Sequence, residues 1–158
     1  MPKRTSAGIL LYRLHGGTCE VFLVHPGGPY WRGKDAGAWS IPKGELEEGD
    51  DPLAAAQREF HEETGRRLSG KLVALAPIRQ PSGKLVHAWA TQGDIDASSV
   101  KSNTFSMEWP PHSGRQQQFP EVDRGEWFEI AAAREKILRG QRPFLDQLLA
   151  LLALPKKS

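Results

Sequence analysis

The sequence predicts an α/β fold in which a mixed β-sheet is sandwiched between α-helices. Three observations support this prediction: short β-rich runs precede a central helix, further strands follow that helix, and two helical segments end the chain. The 158 residues show no repeat and no linker-like stretch, and their number suits one hydrophobic core. We therefore expect residues 1–158 to form a single domain.

Two β-rich runs near the N-terminus predict a hairpin. They cover residues 6–14 and 19–25, and the sequence HGG between them suits a tight turn. Residues 26–44 are rich in Gly and Pro and predict a long ordered loop around a short strand at 39–41. Long loops inside compact domains usually serve function, so this loop is a candidate part of a site.

A central helix is predicted by the signals at its two ends. Asp50 or Asp51 can cap its N-terminus, and Pro52 suits the first helical position. The helix is expected to run to about Thr64, where Gly65 ends it.

The second half of the chain predicts strands and then helices. The predicted elements are a hairpin with strands at 72–80 and 84–92 around PSG, a polar stretch of little periodicity at 94–120, a strand at 125–130, helices at 131–140 and 143–154, and a polar tail at 155–158. Strands on both sides of a central helix, with helices at the end, indicate a mixed sheet packed by helices.

Composition excludes several classes of protein. Charged residues make up 25% of the chain and the net charge is +2, which gives no basis for bulk binding to nucleic acid or to a membrane. Cys19 is the only cysteine, so an internal disulfide and a thiolate zinc site are both excluded. The apolar run near the N-terminus is too short for a signal peptide or a membrane span. We expect a cytoplasmic protein.

The predicted central helix carries an unusual concentration of acidic residues. Residues 44–65 contain eight carboxylates, and Glu59, Glu62 and Glu63 share one helical face because positions three or four apart are neighbours. Arg58, four residues before Glu62, can offset one of these charges. The remaining negative field suits a hard cation such as Mg²⁺ or Mn²⁺. The alternative is a solvated acidic face, the common location of charged residues.

The spacing of this segment favours the cation site, because it resembles the signature of the Nudix hydrolase family. That signature is Gly, five residues, Glu, seven residues, and then Arg-Glu-hydrophobic-any-Glu-Glu-any-Gly-hydrophobic. This chain keeps every spacing, from Gly44 through Arg58 to Gly65. Asp50 replaces the first Glu but can still pair with Arg58, and Arg66 replaces the final hydrophobic residue, which weakens packing after the motif.

The resemblance implies a Nudix fold and a hydrolase that cleaves a diphosphate linked to another group, X, with the help of divalent cations. Water attacks one phosphorus and a phosphate group leaves. By position in the signature, Glu59 and Glu63 are implied to be the main ligands of Mg²⁺ or Mn²⁺. Glu62 is implied to be a further ligand or a base, the backbone carbonyl of Gly44 a further ligand, and Arg58 a catalytic residue.

The resemblance also implies a further acid outside the signature, six residues before a Trp on a late strand. Glu121 lies six residues before Trp127, so we expect Glu121 to be an additional metal ligand or the general base. Glu126 is the alternative, although its position next to the strand Trp also suits a side chain that faces solvent.

The Pro-Lys-Gly sequence at 42–44 resembles the dinucleoside polyphosphate and diphosphoinositol polyphosphate branches of the family. The nucleotide-sanitising branch tends to have Pro-Gly-Gly there. Lys43 is then expected to contact a phosphate of the substrate. Arg32 and Lys34 in the preceding loop are candidates for contacts with outer phosphates. For each of these three residues the alternative is a solvated surface cation.

Aromatic residues near this loop can bind a nucleotide base. Tyr30, Trp31 and Trp109, together with Phe105, are candidates for stacking on a base, and packing in the core or a lid is the alternative for each. The long aromatic segment 103–121 is the most plausible specificity loop.

The leading hypothesis is a Mg²⁺- or Mn²⁺-dependent Nudix pyrophosphohydrolase that acts on a nucleoside polyphosphate, with dinucleoside polyphosphates first. A nucleoside triphosphate, ADP-ribose or an RNA 5′ end stays open as substrate. A catalytically silent Nudix domain that senses a nucleotide, and a structural acidic helix in an interaction module, are the alternatives from other classes. We expect a small-molecule nucleotide partner, no membrane, no stable nucleic-acid partner, and a monomer or homodimer.

Overall fold

The computed structural model describes residues 5–152 and has a mixed sheet between two helical layers, which confirms the predicted fold class. The strands are β1 Thr5–His15, β2 Thr18–Pro26, β3 Lys43–Glu45, β4 Val73–Ala74, β5 Ile78–Arg79, β6 Leu85–Gln92, β7 Thr104–Glu108, β8 Gln116–Pro120 and β9 Val122–Glu129. The helices are α1 Pro52–Thr64, α2 Ile130–Lys136 and α3 Arg142–Leu152, with short 3₁₀ helices at Ala97–Ser99 and Arg139–Gln141. Within these residues, no helix combines the length and apolar character needed to cross a membrane.

Strand β1 is the centre of the seven-stranded sheet. One edge pairs in parallel with β6 along its length, from Thr5↔Leu85 to Tyr12↔Gln92. The other edge is shared, because its C-terminal part pairs antiparallel with β2 and its N-terminal part pairs antiparallel with β3. Strands β2 and β3 therefore diverge from a common edge, and the chain between them passes beside the gap.

The two faces of the sheet have separate cores. Along β1, Ala7, Ile9 and Leu11 pack on the face that α1 covers, whereas Leu10 belongs to the cluster built with α2 and α3. This alternation follows from the two-residue period of a strand. On the α1 face, Phe60 is fully buried. Helix α1 is thus fixed to the sheet by its apolar side, which leaves its acidic side free.

The ends of α1 confirm the predicted helix boundaries. Of the two candidate caps, Asp51 is the one used: its carboxylate accepts a hydrogen bond from the Ala54 amide at 3.0 Å. Pro52 is the first helical residue. Gly65 ends the helix with a left-handed φ of 77°, and its amide donates to the His61 carbonyl.

Three predicted elements differ in extent. The expected strand at 39–41 is reduced to isolated bridges at Trp39 and Ser40, and the expected strand at 72–80 is divided into β4 and β5. The helix expected at 131–140 ends at Lys136, because the next residues leave the helix to bond with the backbone of Trp39. The helix expected at 143–154 runs through Arg142–Leu152, and its last two positions and the tail at 155–158 lie outside the described residues.

The interpretation of 94–120 as a stretch without periodic structure is wrong. Strands β7 and β8 form a separate two-stranded hairpin, paired from Thr104↔Pro120 to Glu108↔Gln116. In the turn that connects β7 to β8, the Glu108 carboxylate accepts hydrogen bonds from the amides of His112 and Gly114. The alternation of polar residues with Phe105 and Met107 was the available strand signal, but the surrounding polar residues obscured it.

Removal of the Phe60 side chain should test how much α1 depends on its apolar face. Phe60 is fully buried and lies edge-on to Phe22, with ring centroids 6.5 Å apart. We expect Phe60→Ala to lower the free energy of unfolding by about 3–5 kcal/mol, measured by urea denaturation, because it leaves a cavity. Leu151→Ala is the control, since Leu151 is 44% exposed, and should change stability by less than about 0.5 kcal/mol. Equal losses in both variants would contradict this account of the core.

Candidate active site

Gly44 brings the backbone of β3 into contact with the acidic side of α1. A Cβ atom at residue 44 would lie 2.1 Å from the carboxyl carbon of Glu59, so any other residue would collide with this carboxylate. The glycine that opens the signature therefore leaves room for the Glu59 carboxyl group in its present position, and a larger residue would require this carboxyl group to move. Residue 44 and Glu59, expected to act together, are adjacent.

Glu63 is a buried carboxyl group beside the same strand. It is 8% exposed, and its carboxylate accepts a hydrogen bond from the backbone amide of Lys43. Burial, followed by the nearby charge of Glu59, raises the pKa of Glu63 to about 8. Glu121 adds further negative potential, while Lys43 acts in the opposite direction. An uncompensated charge is thus unfavourable at Glu63.

Arg58 organises the exposed side of the acidic cluster. Its guanidinium lies 3.4 Å from the Asp50 carboxylate, 3.8 Å from that of Glu59 and 4.0 Å from that of Glu62. The predicted pair between Asp50 and Arg58 is therefore formed despite the replacement of Glu by Asp. Burial, followed by the charge of Glu62, raises the pKa of Glu59, so Arg58 offsets the repulsion only in part.

These carboxylates fit a hard divalent cation in their chemistry. Within residues 5–152, no three acidic, His or Cys side chains stand close enough to one another to form a ready-made metal site. Glu62 pairs with Arg58 across one helical turn, at 4.0 Å. The fit rests on the donor set: oxygen ligands alone, a carboxylate packed against Gly44, and a buried carboxyl group at Glu63.

Glu121 is held by hydrogen bonds of its backbone. Its amide donates to the Asn103 carbonyl at 2.8 Å, and its carbonyl accepts from the Gly27 amide at 3.0 Å. The Asn103 amide in turn donates to the carbonyl of Glu62 at the end of α1. The competing acid, Glu126, lies within β9 and forms an ion pair with Arg124 at 3.6 Å, whereas Glu121 lies between β8 and β9.

One cleft brings several of the predicted residues together. It has a volume of about 220 Å³ and opens where β2 and β3 diverge. Its walls include two of the acids, the candidate phosphate-binding lysine and one aromatic residue: Glu63, Glu121, Lys43 and Trp31. Apolar residues complete the lining, among them Val24, Ile41 and Leu138.

The remaining predicted substrate residues lie outside this cleft. Arg32 and Lys34 line a neighbouring groove of about 500 Å³ together with His25, Asp123 and Arg124. The rings of Tyr30 and Trp109 form an edge-to-face pair with centroids 5.4 Å apart, which joins the loop before the signature to the β7–β8 hairpin. Tyr30 is 59% exposed.

One charged neighbour of Lys43 was missed in the sequence. Lys84, just before β6, forms an ion pair with Glu45 at 3.5 Å. Burial is the largest cause that lowers the pKa of Lys43, and the charge of Lys84 is the second. Only the pairing of β6 and β3 on opposite edges of β1 could have indicated this proximity. Arg66, the other departure from the signature, donates to the Ser99 hydroxyl, so a polar contact replaces the apolar one.

The family model described as NUDIX domain matches residues 2–148. The chain belongs to the NUDIX family. An RNA pyrophosphohydrolase of Rhizobium meliloti (strain 1021) is 30% identical over 166 residues, which cover 95% of this chain and 93% of that protein. An 8-oxo-(d)GTP phosphatase of Mycolicibacterium smegmatis is 33% identical over 129 residues, 75% of this chain. This chain spans only 34% and 38% of the length of two curated relatives, the second being that phosphatase.

Solved NUDIX structures have the same fold. An Ap4A hydrolase of C. elegans in a binary complex has a TM-score of 0.65 at 23% identity, over 95% of this chain and 98% of that one. The family match and the names of the relatives confirm the predicted class, a Nudix hydrolase that acts on phosphorus-containing acid anhydrides.

The buried carboxyl group of Glu63 should make the metal-free protein less stable as pH rises. An unfolded Glu ionises near pH 4.3, whereas in the folded chain the pKa of Glu63 is raised to about 8. Between these values unfolding releases a proton, so this residue's contribution to stability is lost as pH rises toward 8. In Glu63→Gln this loss of stability with rising pH should be absent. At pH 8 the free energy of unfolding of the variant should exceed that of the wild type by more than about 1 kcal/mol.

The measurement is urea denaturation with chelator across this pH range. Glu48→Gln is the control, because Glu48 is exposed, and it should keep the wild-type dependence on pH. If Glu63→Gln also follows the wild-type curve, Glu63 is ionised at little cost and the description of its environment is wrong.

Proposed function

We propose that this NUDIX protein is a pyrophosphohydrolase that depends on Mg²⁺ or Mn²⁺ and cleaves a nucleoside polyphosphate, with dinucleoside polyphosphates as the first candidates. The observation that carries the proposal is the cleft of about 220 Å³ lined by Glu63, Glu121, Lys43 and Trp31. Acids for metal and proton transfer, a cation for phosphate and an aromatic ring for a base thus face a common space.

Glu59, Glu62, Glu63 and Glu121, with the carbonyl of Gly44, are the groups proposed to hold the cation. When bound, a divalent cation neutralises the negative charge that develops on the phosphates as the diphosphate is cleaved. The Glu63 side chain is buried, and its carboxylate accepts a hydrogen bond from the Lys43 amide, which would orient it for this role. Arg58 holds Glu59 and Glu62 on their outer side.

The proton of the attacking water requires an acceptor in the chain. Glu121 and Glu62 are the proposed candidates, and Glu121 is the stronger one because it lines the cleft and its backbone is fixed on both sides. The Lys43 side chain, half-buried at the same cleft, is proposed to bind a phosphate oxygen.

The aromatic residues and the outer cations are proposed to bind the rest of the substrate. Trp31 is 39% exposed at the edge of the cleft and can stack on a nucleotide base. Tyr30 and Trp109 extend this aromatic surface toward the hairpin. Arg32 and Lys34, in the adjacent groove, lie where phosphates beyond the cleaved bond would extend.

A triphosphorylated RNA 5′ end is the second candidate substrate. It is favoured by the relative of Rhizobium meliloti named RNA pyrophosphohydrolase, which aligns over 95% of this chain and 93% of its own length. The dinucleoside substrate is favoured by the Pro-Lys-Gly sequence before the signature and by the name of the C. elegans neighbour. Location in the cytoplasm and the monomeric or homodimeric state stay predictions.

Product analysis with a substrate panel should test the proposed reaction. The panel is diadenosine tetra- and pentaphosphate, nucleoside triphosphates, ADP-ribose and triphosphorylated RNA, each with Mg²⁺ or with chelator. We expect metal-dependent release of phosphate products, with the highest kcat/KM for a dinucleoside polyphosphate. Glu62→Gln and Glu121→Gln should each lower kcat by about 100-fold or more.

Glu126→Gln is the control, since Glu126 is the competing acid, lies five residues after Glu121 and pairs with Arg124. Its kcat should stay within about threefold of the wild type. A loss in Glu126→Gln with full activity in Glu121→Gln would reverse the assignment of the outer acid. A preference for triphosphorylated RNA would select the second candidate, and no metal-dependent cleavage of any member would refute the proposed function.

Substitution of Trp31 should separate recognition of the base from recognition of phosphate. We expect Trp31→Ala to raise KM for the preferred nucleotide by about 5- to 100-fold with little change in kcat, because one stacking contact is lost. Inorganic tripolyphosphate, which has no base, is the control, and its inhibition constant should be unchanged. If KM for the nucleotide and the inhibition constant for tripolyphosphate rise equally, Trp31 affects phosphate binding or the fold and not recognition of the base.

A further inference from the structure

Gln141 is a fully buried polar residue far from the acidic helix in sequence. It ends the short 3₁₀ helix between α2 and α3 and is 0% exposed. Its Oε1 accepts a hydrogen bond from the Ile41 amide at 3.0 Å, and its Nε2 donates to the Ser40 hydroxyl at 2.9 Å. Its side chain thus joins the C-terminal helical layer to the segment that leads into the Nudix signature.

These bonds continue a short parallel ladder that the main chain begins and then leaves. The Trp39 amide donates to the Lys136 carbonyl at 2.9 Å, and the Leu138 amide donates to the Trp39 carbonyl at 2.7 Å. In a regular parallel ladder, the Ile41 amide would donate next to the Leu138 carbonyl. That carbonyl instead accepts from the Gln141 amide as the chain turns into the 3₁₀ helix. The Gln141 side chain therefore supplies the missing acceptor.

The residues directly after Ile41 reach two carboxyl groups of α1. The Pro42 carbonyl accepts a hydrogen bond from the Ile9 amide of β1. The Lys43 amide donates to the Glu63 carboxylate, and Gly44 packs against the carboxyl group of Glu59. Lys43 and Gly44 lie only two and three positions after Ile41, so the Gln141 contact is close along the chain to both of these contacts.

We infer that Gln141 is a positioning residue of the active site, which fixes the approach of the Lys43–Gly44 backbone to the carboxylates of Glu59 and Glu63. The inference rests on the proposed function for its effect on catalysis. Gln141 contacts no substrate in this role. It acts because a buried amide side chain with both polar atoms bonded leaves its partners a single arrangement.

Gln141→Met is the test variant, because Met keeps the length and volume of Gln but makes neither hydrogen bond. The chain offers a matched control in Gln147 of α3. Its Oε1 accepts from the Ala76 amide and its Nε2 donates to the Ala76 carbonyl at 3.0 Å, so it also joins a helix to a loop through one amide side chain. Neither Ala76 nor Gln147 lines the cleft. Gln147→Met should leave kcat, KM and metal affinity unchanged.

Three readouts are expected to change in Gln141→Met. The amide NMR signals of Lys43 and Gly44 should shift in the metal-free protein. The dissociation constant for Mn²⁺, measured without substrate, should rise about fivefold or more. The kcat should fall about tenfold or more while KM changes less than about threefold, because small displacements of reacting groups are costly to rate. Activity is compared well below the melting temperatures of both variants.

The inference and the proposed function fail in different ways. If the wild type cleaves its substrate and Gln141→Met retains the wild-type Mn²⁺ affinity and kcat, Gln141 is structural only and the inference is overturned. If the wild type cleaves nothing in the panel, the proposed function fails, and the amide shifts of Lys43 and Gly44 still decide the positioning role. If Gln141→Met does not fold, Gln141→Asn, which is one methylene too short to reach Ile41, is expected to give the same three changes.

Discussion

The approach of β3 to α1 at Gly44 is the constraint on which the rest of the site depends. The Glu59 carboxyl group occupies the volume that a side chain at residue 44 would fill. Because β1 gives one half of an edge to β2 and the other half to β3, the strand that carries Gly44 lies beside the gap where the cleft opens. The close approach at Gly44 thus sets the position of the Glu59 carboxyl group relative to β3.

This arrangement concentrates negative charge at a cost to the metal-free protein. Burial and the charge of Glu59 raise the pKa of Glu63 to about 8, and burial and the charge of Glu62 raise the pKa of Glu59. The chain supplies limited compensation, through Arg58 on the outer side and the Lys43 amide on the inner side. Under the proposed function, a bound cation would relieve this repulsion.

The sequence predicted those features that depend on neighbours along the chain. The cap at Asp51, the stop at Gly65 and the pair between Asp50 and Arg58 each lie within one helix and its flanks. The hairpin of β7 and β8 was missed because its exposed strands bury too little apolar surface for a clear alternation. The early end of α2 was missed for a different reason, because tertiary bonds to the Trp39 backbone overrode local helix propensity.

The same distinction applies to the positions of the candidate site residues. Glu59 interacts electrostatically with both Glu62 and Glu63 because their spacing along the helix is local. Arg32 and Lys34, in contrast, lie in a separate groove that only the folded loop defines. The role of Gln141 had no signal, since its partners are about 100 residues away and a lone Gln between two helical segments is unremarkable in composition. Contacts between distant buried polar groups are decided by the complete fold.

The backbone bonds that hold Glu121 separate its position from that of the β7–β8 hairpin. The hairpin of β7 and β8 leaves the body of the fold after Asn103 and returns at Glu121, and these two residues are joined by a backbone hydrogen bond of 2.8 Å. Asn103 is bonded to Glu62 and Glu121 to Gly27, so the base of the hairpin is fixed from both sides. Changes in the length or aromatic content of the hairpin can therefore be absorbed beyond this base. Under the proposed function, Glu121 would stay in place while the surface proposed to contact the rest of the substrate changes.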